Sequence, residues 1–166
     1  MMNFNNLNDN FISVFDSLFQ FLQIDHVFMA EIPESSLNAT EDMNILVSLT
    51  GNVEGNIMFC HSKGVAESIC QKITGCKKVD NVDFYVIAAL ADFYSEFSKK
   101  FINLIKSEAT ALKNDEEKAN NDFILHSSCP TYISGKKLNG VISKVPSKKL
   151  FFKVNNERFC IAYSIM

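Results

Sequence analysis

Arginine is almost missing from this chain. Arg158 is the only one in 166 residues, and the net charge is −3. A nucleic-acid-binding surface is normally a basic patch rich in arginine. The lysines here fall in scattered pairs, Lys77-Lys78, Lys99-Lys100, Lys136-Lys137 and Lys148-Lys149, so nucleic acid is not an expected partner. The five cysteines (Cys60, Cys70, Cys76, Cys129, Cys160) contain no C-x-x-C pair, and their number is odd. Reduced, mostly buried thiols fit that pattern better than a disulfide framework. His26, His61 and His126 have no ligand spacing between them, so no metal site is expected. No apolar run approaches the roughly 20 residues of a membrane span. The Asn-rich start, 1–10, lacks the basic and apolar regions of a signal peptide and reads as a flexible N-terminus. The expected location is the cytoplasm, away from any membrane.

What remains is a globular composition. Hydrophobic residues make up 47% and charged residues 21%, which places the chain among folded rather than disordered proteins. Its length suits one domain, 1–166, able to bury a core without disulfides or metals.

Periodicity gives the elements. Phe4, Leu7, Phe11, Val14, Phe15, Leu18 and Leu22 recur at steps of three and four, one apolar stripe on a helix over 4–23. A short extended run, 27–32, follows, and Pro33 is expected to end it. Residues 34–43 read as a loop. Ile45, Val47 and Leu49 alternate, as do Ile57 and Phe59, and Gly51-Asn52-Val53-Glu54-Gly55 between them supplies two glycines able to take positive φ. A hairpin over 44–60 is therefore predicted. Residues 63–74 read as a helix closed by Gly75. A long helix over about 82–106 comes next, with Asp80 as its N-cap and Val86, Leu90, Phe93, Phe97, Phe101 and Leu104 as its core stripe. Its solvent face is expected to carry Tyr85, Ala89, Asp92, Glu96, Lys99 and Asn103. Residues 113–122 read as a charged connection. Residues 123–133 are extended around Pro130, 134–137 form a turn, 138–145 form a strand, and 150–166 form a second hairpin turning at Asn155-Asn156.

The order is that of an α+β chain with two similar halves. Each half runs helix, extended piece with a proline, hairpin. If the halves are repeats, both hairpins join one antiparallel sheet, and the two long helices lie side by side on one face about a pseudo-twofold axis.

Four segments in this order resemble the CheC/CheX family of bacterial chemotaxis phosphatases, CheX in particular. Leu49-Thr50-Gly51-Asn52-Val53-Glu54-Gly55-Asn56-Ile57 is similar to the family's L-T-G-x-x-x-G-x-V hairpin. Gly64-Val65-Ala66 through Ile73-Thr74-Gly75 is similar to the helix that follows it. Val86 to Phe93 stands where the family has a helix reading A-x-x-E-L-x-N-M, and Ser128 to Gly135 is similar to its S-P-P-T-x-x-x-G. The likeness spans about 11–166. It implies a two-layer α/β sandwich, a homodimer, and action on a phosphorylated CheY-like response regulator. It implies no cofactor of the chain's own; any Mg2+ would belong to the regulator.

In that family a glutamate and an asparagine three residues apart share one helix face, a spacing that sets them side by side. The asparagine orients the water that attacks the partner's aspartyl phosphate, and the glutamate pairs with the partner's lysine. Here the glutamate position is Ala89 and the asparagine position is Asp92. Ala89 forms no ion pair. Asp92 keeps the size of asparagine but adds a negative charge and lacks the N–H donor. Three readings follow. The chain has lost the phosphatase activity and retains binding to the regulator through Tyr85, Ala89, Asp92, Glu96 and Lys99. Or Asp92 is an altered catalytic residue acting as a proton acceptor, with Glu96 one turn away. Or the chain is a non-catalytic dimeric interaction module unrelated to response regulators, whose exposed strand edges call for a partner.

Two other signals are set aside. Ser134-Gly135-Lys136-Lys137 lacks the full phosphate-loop pattern. Cys129 has only His126 nearby, three residues away on a strand and so on the opposite face.

Overall fold

The computed structural model describes residues 6–37, 41–76, 84–111, 123–134 and 146–165. Ten elements follow in order: α1 (Leu7–Phe21), β1 (His26–Glu34), β2 (Met43–Gly51), β3 (Gly55–His61), α2 (Lys63–Thr74), α3 (Phe84–Ala111), β4 (Leu125–Ser127), β5 (Thr131–Ser134), β6 (Ser147–Val154) and β7 (Glu157–Ile165). The expected Asp80 cap, the 113–122 connection, the 138–145 strand and residues 135–137 of the turn lie outside the described residues, as do residues 1–5 of the N-terminus.

All seven strands join one antiparallel sheet in the order β1-β6-β7-β3-β2-β4, with β5 also paired to β2. β4 and β5 pair with successive stretches of β2, at Leu49–Gly51 and Met43–Leu46, and share one edge. The helices cover one face. Their apolar stripes and the inward residues of the strands make a single core, including Phe11, Phe15, Ile69, Leu90, Phe97, Ile45, Phe59, Phe152 and Ile161. Aromatic rings lock the layers: Phe15 stacks on Phe152 at 3.8 Å, and Phe11 on Phe101 at 4.1 Å. This is the α+β two-layer sandwich expected from the sequence. With β4 left out, the order β1-β6-β7-β3-β2-β5 reads the same in reverse when β1, β2 and β3 are exchanged for β5, β6 and β7; β4 has no counterpart among the described strands.

Local chemistry explains the boundaries. Ser62 accepts a bond from the Val65 N–H at 3.2 Å and starts α2; Gly75, at φ 71°, ends it. Asn155 and Asn156 adopt φ of 47° and 67°, the two left-handed residues of a tight hairpin turn between β6 and β7. Of the two glycines in the β2–β3 turn, only Gly51 takes a positive φ, 129°. Gly55 is needed for a different reason: the Ser164 carbonyl of β7 approaches where a Cβ would stand.

Two expectations are corrected. Pro33 does not end β1. The strand runs on to Glu34, with Pro33 opposite Lys148. β1 is the sheet edge, where a missing N–H costs no ladder bond if it points outward. The long helix runs past residue 106 to Ala111, because Ile105 and Ala109 extend the buried stripe by a turn.

Candidate functional site

α3 is amphipathic along its 28 residues. Val86, Leu90, Phe93, Tyr94, Phe97 and Phe101 face the sheet. Tyr85, Asp92, Glu96, Lys99 and Asn103 are all exposed, at steps that keep them in one stripe along the opposite face. Glu96 and Lys99 form an ion pair of 3.9 Å, with side chains 52% and 70% exposed. At that exposure the pair contributes little stability. Its value is as a patterned surface: an aromatic ring at one end, carboxylates in the middle, an ammonium and an amide at the other end.

Ala89 is the exception. It is 8% exposed and belongs to the core cluster, so it is not part of the surface to which the sequence assigned it. The helical period explains this. Position 89 falls between the exposed stripe and the stripe of Val86 and Phe93, and its one-carbon side chain is too short to reach past its neighbours.

The aromatic end is larger than the sequence stripe implied. Phe84 and Tyr85 are 79% and 78% exposed and meet edge to face at 6.3 Å. At the opposite end, a groove of about 330 Å³ lies between α1 and α3, lined by Ser13, Val14, Ser17, Lys100, Asn103 and Leu104. Sequence reasoning missed Ser13, Ser17 and Lys100. Their i, i+4 and i, i+3 spacing was readable, but that they face each other requires α1 beside α3.

A second cavity, about 350 Å³, opens where the start of α1 meets the start of β6 and includes Asn8, Glu34, Lys148 and Tyr163 in its lining. Three of its polar groups, Asn8, Lys148 and Tyr163, are joined in a network through Glu31 beside it. Tyr163 donates its hydroxyl to Asn8, Asn8 donates to Glu31, and Lys148 pairs with Glu31 at 2.8 Å. The bonds from Lys148 and then Asn8 hold the Glu31 carboxyl below its ordinary range; burial, then the charge of Glu31, raises the Tyr163 phenol. This network ties helix to sheet.

Among the described residues, no three His, Cys, Asp or Glu side chains cluster in a metal-binding arrangement. Cys129 is exposed, and among the described residues no helix is long and apolar enough to cross a membrane.

No protein-family model and no curated protein matches the chain. Solved structures do. A CheC-like superfamily protein from Shewanella is similar at a TM-score of 0.78 and 14% identity, with 99% of each chain covered. The chemotaxis protein CheX from Vibrio vulnificus gives 0.77 and 12%, covering 97% of this chain and 99% of that one. A chain of the CheX–CheY–BeF3–Mg2+ complex from Borrelia burgdorferi gives 0.62 and 16%, covering 95% and 96%. The seven-stranded sheet with its helical layer is thus matched end to end, and this chain has the fold of the CheC/CheX chemotaxis proteins.

Proposed function

We propose that this protein binds a CheY-like response regulator through the exposed stripe of α3, and that the aspartyl-phosphate phosphatase activity of the proteins it resembles is lost or altered in it. The observation that carries this reading is the pair Ala89 and Asp92. The first is buried and the second is exposed. An asparagine amide both donates and accepts, whereas the Asp92 carboxylate offers only acceptors, so a water held there is not oriented as an amide would orient it. Its charge also opposes an approaching phosphoryl group. A fold-mate, CheX of Borrelia burgdorferi, has been solved in complex with CheY, which supports a regulator as the partner. In this reading the chain works in the cytoplasm and holds no cofactor, and the regulator supplies the Mg2+.

The test is a dephosphorylation time course with a CheY-like regulator of the same organism, paired with a binding measurement. Binding is expected without acceleration beyond the regulator's own rate, and Tyr85→Ala should weaken binding roughly tenfold, as for an exposed aromatic anchor. Acceleration by the unaltered protein would overturn the loss of activity. The alternative, that Asp92 is itself the proton acceptor, is favoured by one feature: Asp92 and Glu96 are both exposed one turn apart. Activity that disappears in Asp92→Ala would establish it.

The same reading includes a homodimer. β1 pairs only with β6 among the described strands, and it exposes Val27 (51%), Met29 (61%) and Ile32 (45%) along its length. An open apolar edge strand is a template for another strand, and we assign that role to β1 of a second copy. Sedimentation should give a dimer that Met29→Lys converts to a monomer; a monomeric unaltered protein at micromolar concentration refutes it.

A further inference from the structure

Cys60 on β3 and Cys160 on β7 stand directly opposite one another in antiparallel register. Both have 0% exposure, and both sit in the small cluster on the face of the sheet away from α1, α2 and α3, with Leu37, Met58 and Ala162. Opposed residues of an antiparallel pair project to the same face, with Cα atoms about 4.5 or 5.5 Å apart. A disulfide spans Cα separations of about 4.4–6.8 Å. The register therefore brings the two thiols within bridging reach without moving a strand. No disulfide joins them in the structure.

We propose that Cys60 and Cys160 form a thiol modification site that closes to a cross-strand disulfide under a two-electron oxidant of the peroxide class. Peroxide converts one thiol to a sulfenic acid and leaves as water. The second sulfur attacks the sulfenic sulfur, the S–S bond forms, the S–O bond breaks, and a second water departs with the remaining thiol proton. Two thiol hydrogens and two electrons have then passed to one peroxide. The other cysteines stand apart. Cys70 lies in the core on the helix side, with the sheet between it and the pair, and Cys76 and Cys129 are exposed.

The position gives the bridge a consequence. The β3–β7 pairing is where hairpin β2–β3 meets hairpin β6–β7. A bond there ties the two hairpins across the middle of the sheet and closes a chain loop of about one hundred residues, which restricts the unfolded chain. Burial sets the rate: a covered thiol reacts only during local opening, so the exposed cysteines oxidise first.

The experiment uses the full chain with Cys76→Ser and Cys129→Ser, which removes those competitors at exposed positions. The folded protein is incubated with hydrogen peroxide and then alkylated after denaturation. The expected result is a mass loss of two hydrogens, a Cys60–Cys160 linked peptide in a non-reducing digest, and a rise in Tm of roughly 10 °C that dithiothreitol reverses. Adding Cys160→Ser should abolish all three. Full alkylation of both thiols after treatment, oxidation to sulfinic acid with no linked peptide, or an unchanged Tm rise in the Cys160→Ser protein would each overturn the proposal.

Discussion

His61 makes the stability of this protein depend on acidity in a calculable way. Its ring is fully buried and stacks between Tyr94 and Phe159, with interplanar angles of 19° and 15°. Nδ1 lies 3.0 Å from the Ser62 carbonyl, which can only accept, so Nδ1 carries the proton. Nε2 is buried with no hydrogen-bond partner among the described residues. Protonating it would place a cation in an apolar stack, and this desolvation lowers the pKa from 6.5 to about 4. The native state therefore disfavours the charged form, while the unfolded chain accepts a proton near 6.5. Stability is complete above that value and falls as pH drops towards 4. The full loss is roughly 3 kcal/mol, and about 2 kcal/mol of it appears between pH 7.5 and 5.

His61→Phe isolates this effect. Phenylalanine keeps the stack, and the Ser62 carbonyl still accepts from the Ala66 N–H at 3.3 Å. Urea unfolding of both proteins across pH 7.5 to 4.5 measures the difference directly. At pH 7.5 the two should lie within about 1.5 kcal/mol of each other, the net worth of the lost hydrogen bond. As pH falls the unaltered protein should lose about 2 kcal/mol relative to the variant by pH 5. A difference that stays constant over the whole range would refute the reasoning.

Three further outcomes test other parts of the fold. Lys149 is buried on β6 and pairs with Glu34 at 2.6 Å, whose side chain is 30% exposed. Glu34→Gln strands a buried ammonium and should cost roughly 3 kcal/mol, whereas Lys149→Met leaves a carboxylate that water can reach and should cost clearly less; equal costs in urea unfolding would show that burial is not what matters. Gly51→Ala should lose roughly 2 kcal/mol or more by the same assay, because φ is 129° and the new Cβ would meet the Ile124 carbonyl, so a neutral result contradicts that packing. Ala89→Glu should lower Tm by several degrees because position 89 is covered; an unchanged Tm would place it on the surface after all.

Much of the fold was readable because it is local. The three- and four-residue spacing gave α1 and α3, and their predicted stripes from Phe11 to Leu22 and from Val86 to Phe101 are core residues, with Leu7 and Leu104 packed half-buried against them. Alternation gave β2, β3 and the β6–β7 hairpin, and Asn155-Asn156 gave its turn. β1 was misjudged at Pro33 because proline counts against a strand only where its nitrogen would face a neighbour. That depends on which strand is at the edge, and edges are a property of the assembled sheet.

The candidate site divides along the same line. The identity of the groups on α3, a methyl at Ala89 and a carboxylate at Asp92, is fixed by the sequence alone, and so is their helical spacing. Which of them meet solvent is a tertiary fact. Helical periodicity gives angles around an axis, but α1 and the sheet decide how wide the covered arc is. That is why Asp92 stands exposed while Ala89, three residues away, is covered. Pairings between distant segments are likewise invisible in one dimension. His61 between Tyr94 and Phe159, Ser13 across a groove from Lys100, and Cys60 opposite Cys160 all arise from contacts between residues far apart in the chain, which no local pattern records.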